Sequence, residues 1–342
     1  MTDKYKWCVY RFISFQLLAI LIFSGLQTQA QNAVSIQQDS NVIQLADPTI
    51  FHHKGIYYLY GTVEGATGNG FLVYNSADLK SWNLAAPNDG YALRKENSFG
   101  TAGFWAPQVF LHQGKFYLAY VANEQIAIAM SDNPLGPFVQ TEKKSLEAPV
   151  KQIDPFVFVD DDGKKYLYHV RLIQGNKIFV AEMNDDFLSI KSETLRECIT
   201  ATQPWENTNN ARWPVTEGPS ILKHKGIYYL FYTANDFRNP DYAVGYATSD
   251  HPLGPWTKYQ GNPILTKGTI GKNGPGHGDF FKGKKGLYYV FHTHQSELKV
   301  APRKTALVKT RFEKSKMGGT GLVIDNKSFH FLNRSSHSVN LK

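Results

Sequence analysis

Short apolar segments, each followed by a turn, recur along most of the chain. The segment PSILKHKGIYYLFY (219–232) combines an apolar run, a turn containing Gly226 and a second run rich in Tyr and Phe. β-branched and aromatic runs bounded by Gly, Pro, Asn and Asp are typical of strands joined by hairpins. Long helical periodicities are scarce, so the pattern predicts an all-β protein.

This strand, turn and strand pattern occurs five times. The four other copies lie at residues 47–60, 106–120, 154–170 and 278–292. A second pattern follows most copies: a third strand, a turn through Asp and a fourth strand that opens on an aromatic residue. Five units of about four antiparallel strands predict a five-bladed β-propeller, whereas two β-sandwich domains would not explain five near-regular copies.

The N-terminal residues 1–30 have the features of a secretory signal peptide. Three basic residues precede an apolar run at 12–26, and small residues lead up to Ala30. The run is shorter than the ~20 residues of a membrane-spanning helix. We expect cleavage after Ala30, a secreted or periplasmic protein without a membrane anchor, and a single propeller domain over residues 31–342.

The charge and cysteine content narrow the set of partners. The net charge is +8 at pH 7, and the basic excess lies mostly in the C-terminal third. Solvated loops explain it better than a polyanion partner, because no basic helix or aromatic-basic motif accompanies it, and nucleic acid is not expected. Only Cys198 remains after processing, so no intramolecular disulfide can form, and we expect a monomer held by its core.

The residues at the entrance of each first strand differ among the five copies. In chain order the pairs are Ala46-Asp47, Trp105-Ala106, Ile153-Asp154, Glu217-Gly218 and His277-Gly278. A propeller gathers these positions around its channel, where neighbouring carboxylates shift one another's pKa. One acid can then stay protonated while another is ionised, as glycoside hydrolysis requires. For either Asp alone, capping of a turn before Pro is the alternative.

The sequence resembles glycoside hydrolase family 43. The resemblance rests on ADPTIF (46–51), DPFVFVDDDGKKYLY (154–168), TEGPSI (216–221) and GPGHGD (274–279), and it extends from about residue 41 to 312. It implies a five-bladed propeller with Asp47 as general base and Glu217 as general acid. Asp154 would raise the pKa of that acid and orient it.

The resemblance also implies the reaction. Family members are inverting enzymes that usually act on α-L-arabinofuranosides or β-D-xylosides, and an inverting pair of carboxyls stands roughly 6.5–9.5 Å apart. We expect exo-acting removal of α-L-arabinofuranosyl groups from plant polysaccharide side chains, with the aromatic insert 196–215 closing one end of the site. A β-D-xylosidase, a β-D-galactofuranosidase and a propeller that only binds carbohydrate are the alternatives.

Four further residues are candidates for substrate contact. Trp105 stands in the second-blade position of the acidic column and could stack on a sugar ring, with Phe104 as a weaker candidate. His277 is aligned with Glu217, and the resemblance implies a place at the pore axis near a water or a structural calcium ion. The resemblance also implies a substrate-binding role for Arg303. The chemistry itself requires no cofactor.

Overall fold

The repeated segments fold as small antiparallel sheets. The structure is a computed structural model that describes residues 41–85, 87–314 and 320–335, so the expected signal peptide lies outside the described residues. Within these ranges the sheets form the five blades of a β-propeller, which confirms the predicted fold class. No helix in these ranges has the length and apolar character needed to cross a membrane.

Blades one and two come first in the chain, with a two-stranded ribbon of β3 and β6 beside them. Their strands are β1 (Ala46–His53), β2 (Ile56–Thr62), β3 (Gly70–Leu72), β4 (Tyr74–Ser76), β5 (Ser81–Leu84), β6 (Tyr91–Arg94), β7 (Trp105–His112), β8 (Lys115–Ala122) and β9 (Gln125–Ser131). Blade one has the order β1-β2-β4-β5, and blade two has the order β7-β8-β9.

The other three blades have four strands each, in chain order from the inside outward. Blade three consists of β10 (Gln152–Val159), β11 (Lys165–Leu172), β12 (Asn176–Glu182) and β13 (Arg196–Ile199). Blade four consists of β14 (Thr216–His224), β15 (Ile227–Ala234), β16 (Ala243–Ser249) and β17 (Thr257–Lys258). Blade five consists of β18 (Gly276–Gly283), β19 (Gly286–Thr293), β20 (Lys304–Lys314) and β21 (Thr320–Phe331), and β22 (Asn333–Arg334) follows it.

Helical structure is limited to short connections. The described residues contain one α-helical turn, α1 (Lys267–Ile270), and four 3₁₀ segments, Pro87–Gly90, Lys95–Asn97, Ser192–Thr194 and Pro204–Glu206. This agrees with the scarcity of long helical periodicities in the sequence.

The tight hairpins of the repeat follow from their turn residues. In blades one, two and four the two-residue turns are Lys54-Gly55, Gln113-Gly114 and Lys225-Gly226, and both residues of each turn have positive φ. Two consecutive left-handed residues give the turn type whose twist matches that of the flanking strands. The Gly at the second position adopts this conformation without steric cost.

Blade two departs from the predicted four strands. Its fourth strand is reduced to one bridge between Met130 and Val139. Pro137 has no N–H to donate to a ladder, and the N–H of Phe138 donates instead to the carbonyl of Ala92 at 2.7 Å. The segment before Val139 is therefore bound to the neighbouring ribbon rather than to β9.

The hydrophobic core lies between the blades. Five clusters of buried side chains each join residues of two adjacent blades, including the pair formed by blades five and one. Tyr and Phe rings dominate them, for example Tyr60, Phe71 and Phe116 between blades one and two. The Tyr and Phe residues of the repeated strands fill these layers, because large rings span the distance between packed sheets.

The two ends of the described propeller meet and close the ring. The N–H of Ile43 donates to the carbonyl of Leu332 at 2.8 Å, and the N–H of Thr305 donates to the carbonyl of Ile43 at 2.9 Å. β22 then pairs in parallel with the outer strand β5 of blade one. This closure brings the first strands of all five blades together around one axis.

Candidate active site

The first strand of every blade carries a bulge near its start. The register of its pairing with the second strand shifts at this point in all five blades. One residue inside each bulge has a positive φ, between 41° and 59°; these residues are Asp47, Ala106, Asp154, Gly218 and His277. A bulge bends the strand and changes the direction of its side chains. The repeat thus presents one equivalent position per blade to the axis.

The bulges correct the expected alignment of the fifth copy. His277 was expected to be equivalent to Glu217, but the strand pairing places Gly276 level with Glu217. His277 lies one residue further on, level with Asp47 and Asp154. The fifth copy has no Pro after its entrance, so the feature that aligns the other four copies in the sequence is missing there.

The expected residues meet in one cleft with a volume of about 610 Å³. Asp47, Asp154, Glu217, Trp105, His277 and Arg303 all line it. Clefts that hold small-molecule ligands usually have volumes of about 300–1,000 Å³. The cleft can therefore hold one or a few sugar units.

Phe104 does not belong to this set, which corrects the expectation that it contacts substrate. Its side chain is fully buried and its ring lies parallel to that of Tyr120, with centroids 5.8 Å apart. The residue before Trp105 faces the layer between blades one and two, because neighbouring residues of an extended segment face opposite sides.

Asp47 is surrounded by donors and positive charge. One carboxylate oxygen, Oδ1, accepts from Arg303 Nη1 at 3.1 Å, and Oδ2 accepts from Thr62 Oγ1 at 2.7 Å. Burial by itself raises the pKa of Asp47, but the attraction of Arg303, His277 and His292 and the bond from Thr62 outweigh it. The pKa therefore lies well below its usual value, and the side chain is ionised.

Glu217 has the opposite environment. Tyr242 donates to its Oε1 at 2.8 Å and Asn176 donates to its Oε2 at 3.1 Å. Burial, followed by repulsion from Asp154, raises its pKa to about 7, although His277 and Tyr242 partly oppose this. A Glu with this pKa carries a proton at pH values where an ordinary Glu has lost it.

Asp154 interacts electrostatically with both Asp47 and Glu217. Its Oδ2 accepts from the backbone N–H of Gly218 at 3.1 Å, directly beside Glu217 in the chain. Burial and repulsion from Asp47 raise its pKa to about 7, and the bond from Gly218 and the charge of Arg303 reduce that rise. Because Asp154 and Glu217 titrate in the same range and repel one another as anions, ionisation of Asp154 favours the proton on Glu217.

Glu64 and the ring of Phe237 hold the side chain of Arg303 in place. Its Nε donates to Glu64 Oε1 at 2.8 Å, and its own backbone N–H donates to Glu64 Oε2. The guanidinium carbon lies 4.6 Å from the centroid of the Phe237 ring. Because Arg303 Nη1 also donates to Asp47 Oδ1, Arg303 links the carboxylate to the wall of the cleft.

His277 lies between two of the acids. Its Nδ1 is 3.4 Å from Asp47 Oδ1 and 3.8 Å from Asp154 Oδ2. Calcium usually takes six to eight oxygen ligands. Among the described residues, no group of three or more His, Cys, Asp or Glu side chains is arranged to hold a metal ion.

Two threonines contribute to the site through a repeated contact that the sequence analysis missed. Thr62 Oγ1 accepts from the N–H of Ala106 at 2.9 Å, and Thr233 Oγ1 accepts from the N–H of His277 at 2.8 Å. In each case a Thr at the end of the second strand of one blade accepts a hydrogen bond from the bulge of the next blade. The signal is present in the sequence as a Thr after the aromatic strands YLYGT and LFYT.

Asn176 and Tyr242 also contact an acid but could not be found from the repeat. Asn176 opens β12 and Tyr242 lies just before β16, and the other copies have no equivalent residue that marks these positions. The contacts arise only because the fold brings these segments next to Glu217.

The arrangement can both give and take a proton across one cleft. A buried carboxyl that retains its proton and a second carboxyl held ionised are the two groups that hydrolysis of a glycosidic bond requires. Fold and site together define the class of the protein as that of a propeller glycoside hydrolase.

Comparison with known proteins agrees with this class. Residues 40–317 match the profile of the family described as Glycosyl hydrolases family 43, and the chain belongs to that family. A crystal structure of endo-1,4-beta-xylanase from Bacteroides thetaiotaomicron VPI-5482 is 43% identical, with a TM-score of 0.79, and the match covers 86% of this chain and 99% of that one.

Two curated relatives are more distant. The arabinoxylan arabinofuranohydrolase of Bacillus subtilis (strain 168) is 28% identical over 287 residues, a match that covers 72% of this chain and 55% of the relative. The xylosidase/arabinosidase of Bacteroides ovatus is 26% identical over 300 residues, covering 72% of this chain and 85% of the relative. The chain thus spans little more than half the length of the first of these proteins.

Proposed function

We propose that the protein is an inverting glycoside hydrolase that removes α-L-arabinofuranosyl groups from plant polysaccharide side chains. The observation that carries the proposal is the opposite protonation of two carboxyls in one cleft, Glu217 with a raised pKa and Asp47 with a lowered one. The name of the Bacillus subtilis relative supports the choice of sugar. A β-D-xylosidase is the second candidate, because the Bacteroides ovatus relative bears both names.

In the proposed reaction Glu217 gives its proton to the glycosidic oxygen as the bond from that oxygen to the anomeric carbon breaks. Asp47 takes a proton from a water molecule whose oxygen attacks the anomeric carbon from the opposite face. The products are the departing alcohol and a sugar of inverted anomeric configuration. Both proton transfers use side chains, so the proposed chemistry requires no cofactor.

Asp154 and Arg303 support this chemistry in the proposal. The charge of Asp154 favours the protonated form of Glu217. Arg303 keeps Asp47 ionised, and its place on the cleft wall would also allow contact with the bound sugar. Trp105 and His277 line the same cleft and are proposed to contact the substrate.

A substrate panel with a matched pair of variants tests the proposal. Aryl α-L-arabinofuranoside, β-D-xyloside and β-D-galactofuranoside are compared with linear xylan, which is included because of the name of the Bacteroides thetaiotaomicron structure. NMR of the first product formed identifies the anomer. Glu217→Gln is expected to lower kcat by about 10²- to 10⁴-fold, the usual contribution of a general acid.

Glu197→Gln is the matched control, because Glu197 pairs with Lys177 on the exposed side of blade three. It should retain wild-type activity. Retention of full activity by Glu217→Gln would refute the assignment of the acid, and release of the retained anomer would refute the inverting mechanism. Sugar binding without release from any substrate in the panel would instead indicate a propeller that only binds carbohydrate.

We also propose that the protein is exported to the periplasm or the medium. The basic start, the apolar run at residues 12–26 and the small residues before Gln31 support this. N-terminal sequencing of the exported protein should begin at Gln31, and an intact Met1 on the exported chain would contradict it.

A further inference from the structure

One exposed aromatic side chain stands on the wall of the cleft. Trp213 lies in the segment between β13 and β14, its side chain is 48% exposed, and it lines the cleft. The other large apolar side chains that are exposed among the described residues do not line this cleft. An exposed indole face in a polar cleft is suited to the apolar face of a sugar ring.

The segment that carries Trp213 is fixed to blade three. The N–H of Asn176 donates to the carbonyl of Pro214 at 2.9 Å, and Thr216 Oγ1 donates to the carbonyl of Asn176 at 3.0 Å. Gly175 allows this close approach, because a Cβ there would lie 2.7 Å from the carbonyl oxygen of Pro214. The indole is therefore held at a defined position relative to Glu217.

A chain of hydrogen bonds joins the indole to the acid. Trp213 Nε1 donates to Asn176 Oδ1 at 2.9 Å, and Asn176 Nδ2 donates to Glu217 Oε2 at 3.1 Å. An indole N–H can only donate, so it fixes the carbonyl of the Asn176 amide towards itself. The amide NH₂ must then face Glu217, which has a fixed donor on one oxygen and Tyr242 on the other.

The direction of the reaction decides which sugar lies near Trp213. The general acid must lie beside the oxygen that departs with the leaving group, while the base lies on the opposite side of the reacting sugar. Because Trp213 is joined to Glu217 through one side chain, it belongs to the side of the cleft where the leaving group sits.

We propose that Trp213 is the platform for the leaving-group sugar and that, through Asn176, it positions the acid Glu217. The proposal rests on the function proposed above and extends it to the preference for the leaving group. Trp213 would contact a pyranose ring of the polysaccharide backbone, whereas Asn176 is a positioning residue that need not touch substrate.

Two substrates distinguish the contribution of Trp213 to leaving-group binding from the contribution of the rest of the site. The first is an oligosaccharide with a xylose leaving group, and the second is the fluoride of the same released sugar, which has no leaving-group ring. With Trp213→Leu, kcat/KM on the oligosaccharide should fall about tenfold or more, as expected when an aromatic contact is lost. On the fluoride it should change by less than about twofold. Leu188→Ala, at another exposed apolar residue away from the cleft, should change neither.

Trp213→Phe and Asn176→Ala test the positioning role. Trp213→Phe keeps an aromatic ring but loses the N–H, so KM for the oligosaccharide should stay within about twofold of wild type. Trp213→Phe leaves the Asn176 amide free to rotate away from Glu217 Oε2, and Asn176→Ala removes the amide that donates to this oxygen. A hydrogen bond to a carboxylate favours its charged form, so the basic limb of the pH–rate profile should move to higher pH in both. A merely structural role would leave that limb in place.

Binding to an inactive protein gives a readout that does not depend on catalysis. In the Glu217→Gln background, Trp213→Leu should raise the Kd for the oligosaccharide about tenfold, and Leu188→Ala should not. Equal losses on oligosaccharide and fluoride, or an unmoved basic limb in both Trp213→Phe and Asn176→Ala, would overturn the inference. Full activity of Glu217→Gln would instead overturn the proposed function.

Discussion

At the scale of single residues, the site separates two carboxyls by giving them different neighbours. Asp47 faces Arg303, which is itself bound by Glu64. Among the described residues no cationic side chain is hydrogen-bonded to Glu217, whose partners are Tyr242 and Asn176, and the neighbouring Asp154 is also buried. Burial raises the pKa of both groups, so the positive charge beside one of them decides which is ionised.

The pH dependence of the reaction should follow from this difference. In the proposed mechanism activity requires protonated Glu217, so it should be lost as the pH rises through about 7. It also requires ionised Asp47, whose pKa lies below the usual range for Asp, so the acidic limb should lie at a correspondingly low pH. Asp154→Asn removes the repulsion that raises the pKa of Glu217, and the basic limb of kcat/KM should move down by about one pH unit.

Asp279→Asn is the matched control for this experiment. Asp279 is a further, partly buried carboxyl near the axis, and its pKa is raised to about 6 by desolvation while it accepts from Thr49 and Ser220. It is not among the main causes of the raised pKa of Glu217, so the basic limb should stay in place. A shift of the same size in both variants would show that Asp154 has no specific effect on the acid.

At the scale of secondary structure, the bulge in each first strand converts a repeated hairpin into a site. The left-handed residue inside the bulge is Asp in two blades and His in a third. Asp and His adopt this conformation more readily than most residues. A regular strand would direct these side chains alternately to the two faces of the blade, so the bulges are needed to bring them to the axis together.

Gly218 and Ala106 provide a matched pair of tests for the bulge. Both have positive φ, 59° and 46°. A Cβ on Gly218 would lie 2.9 Å from the ring carbon Cγ of His277. Gly218→Ala should therefore lower the free energy of unfolding by about 1–2 kcal/mol and also reduce activity, because the new methyl group would press on His277 and Gly218 directly follows Glu217 in the chain.

Ala106→Gly relieves the same backbone strain but makes the unfolded chain more flexible. These effects are each about 1 kcal/mol and opposite in sign, so its stability should stay close to that of the wild type. Urea unfolding measures both variants. A Gly218→Ala protein as stable and as active as the wild type would show that the bulge tolerates a side chain at this position.

At the scale of the whole molecule, stability depends on closing the ring of blades. Each apolar layer lies between two blades, so no blade buries its aromatic side chains alone. The layer between blades five and one includes Leu332, which is fully buried. The last described residues thus complete a core that begins near Ile43.

Shortening the chain at its C-terminus tests this closure. A protein ending at Phe331 loses the buried Leu332, its backbone bonds to Ile43 and Thr305, and the pairing of β22 with β5. The free energy of unfolding should fall by about 3 kcal/mol or more. The exposed edge of blade one should also promote association, which light scattering can detect.

A protein ending at Ser335 is the control, because it keeps these contacts, including the bond from the N–H of Ser335 to the carbonyl of Trp82. Urea unfolding compares the two truncations. If both lost the same stability, the contacts of Leu332 and β22 would not be responsible for closure.

Much of the architecture could be predicted because the repeat is visible in a single chain. Five copies of a hairpin, each with a Gly-containing turn and an aromatic second strand, define the blades, and the equivalent positions identify Asp47 and Asp154. Glu217 stands one residue earlier in its copy, yet its motif is distinctive enough to be recognised. The fold and the family are confirmed, and the structure brings these three acids together in one cleft.

The errors and omissions share a physical origin. The alignment of His277 was wrong because the bulge shifts the register by a residue where no Pro marks it. The expectation for Phe104 was wrong for a similar reason, because the direction of a side chain in an extended segment reverses with each residue. Neither effect can be seen in the composition of a segment.

The sequence by itself determined the blade, the number of copies and the acidic residues at the strand entrances, because these depend on local patterns that repeat. Only the tertiary structure decided which acid is ionised and which side chains hold it. Arg303 meets Asp47 across 256 residues, and Asn176 meets Glu217 across 41. Electrostatic effects depend on distance in space and on burial, and the closed ring alone establishes both.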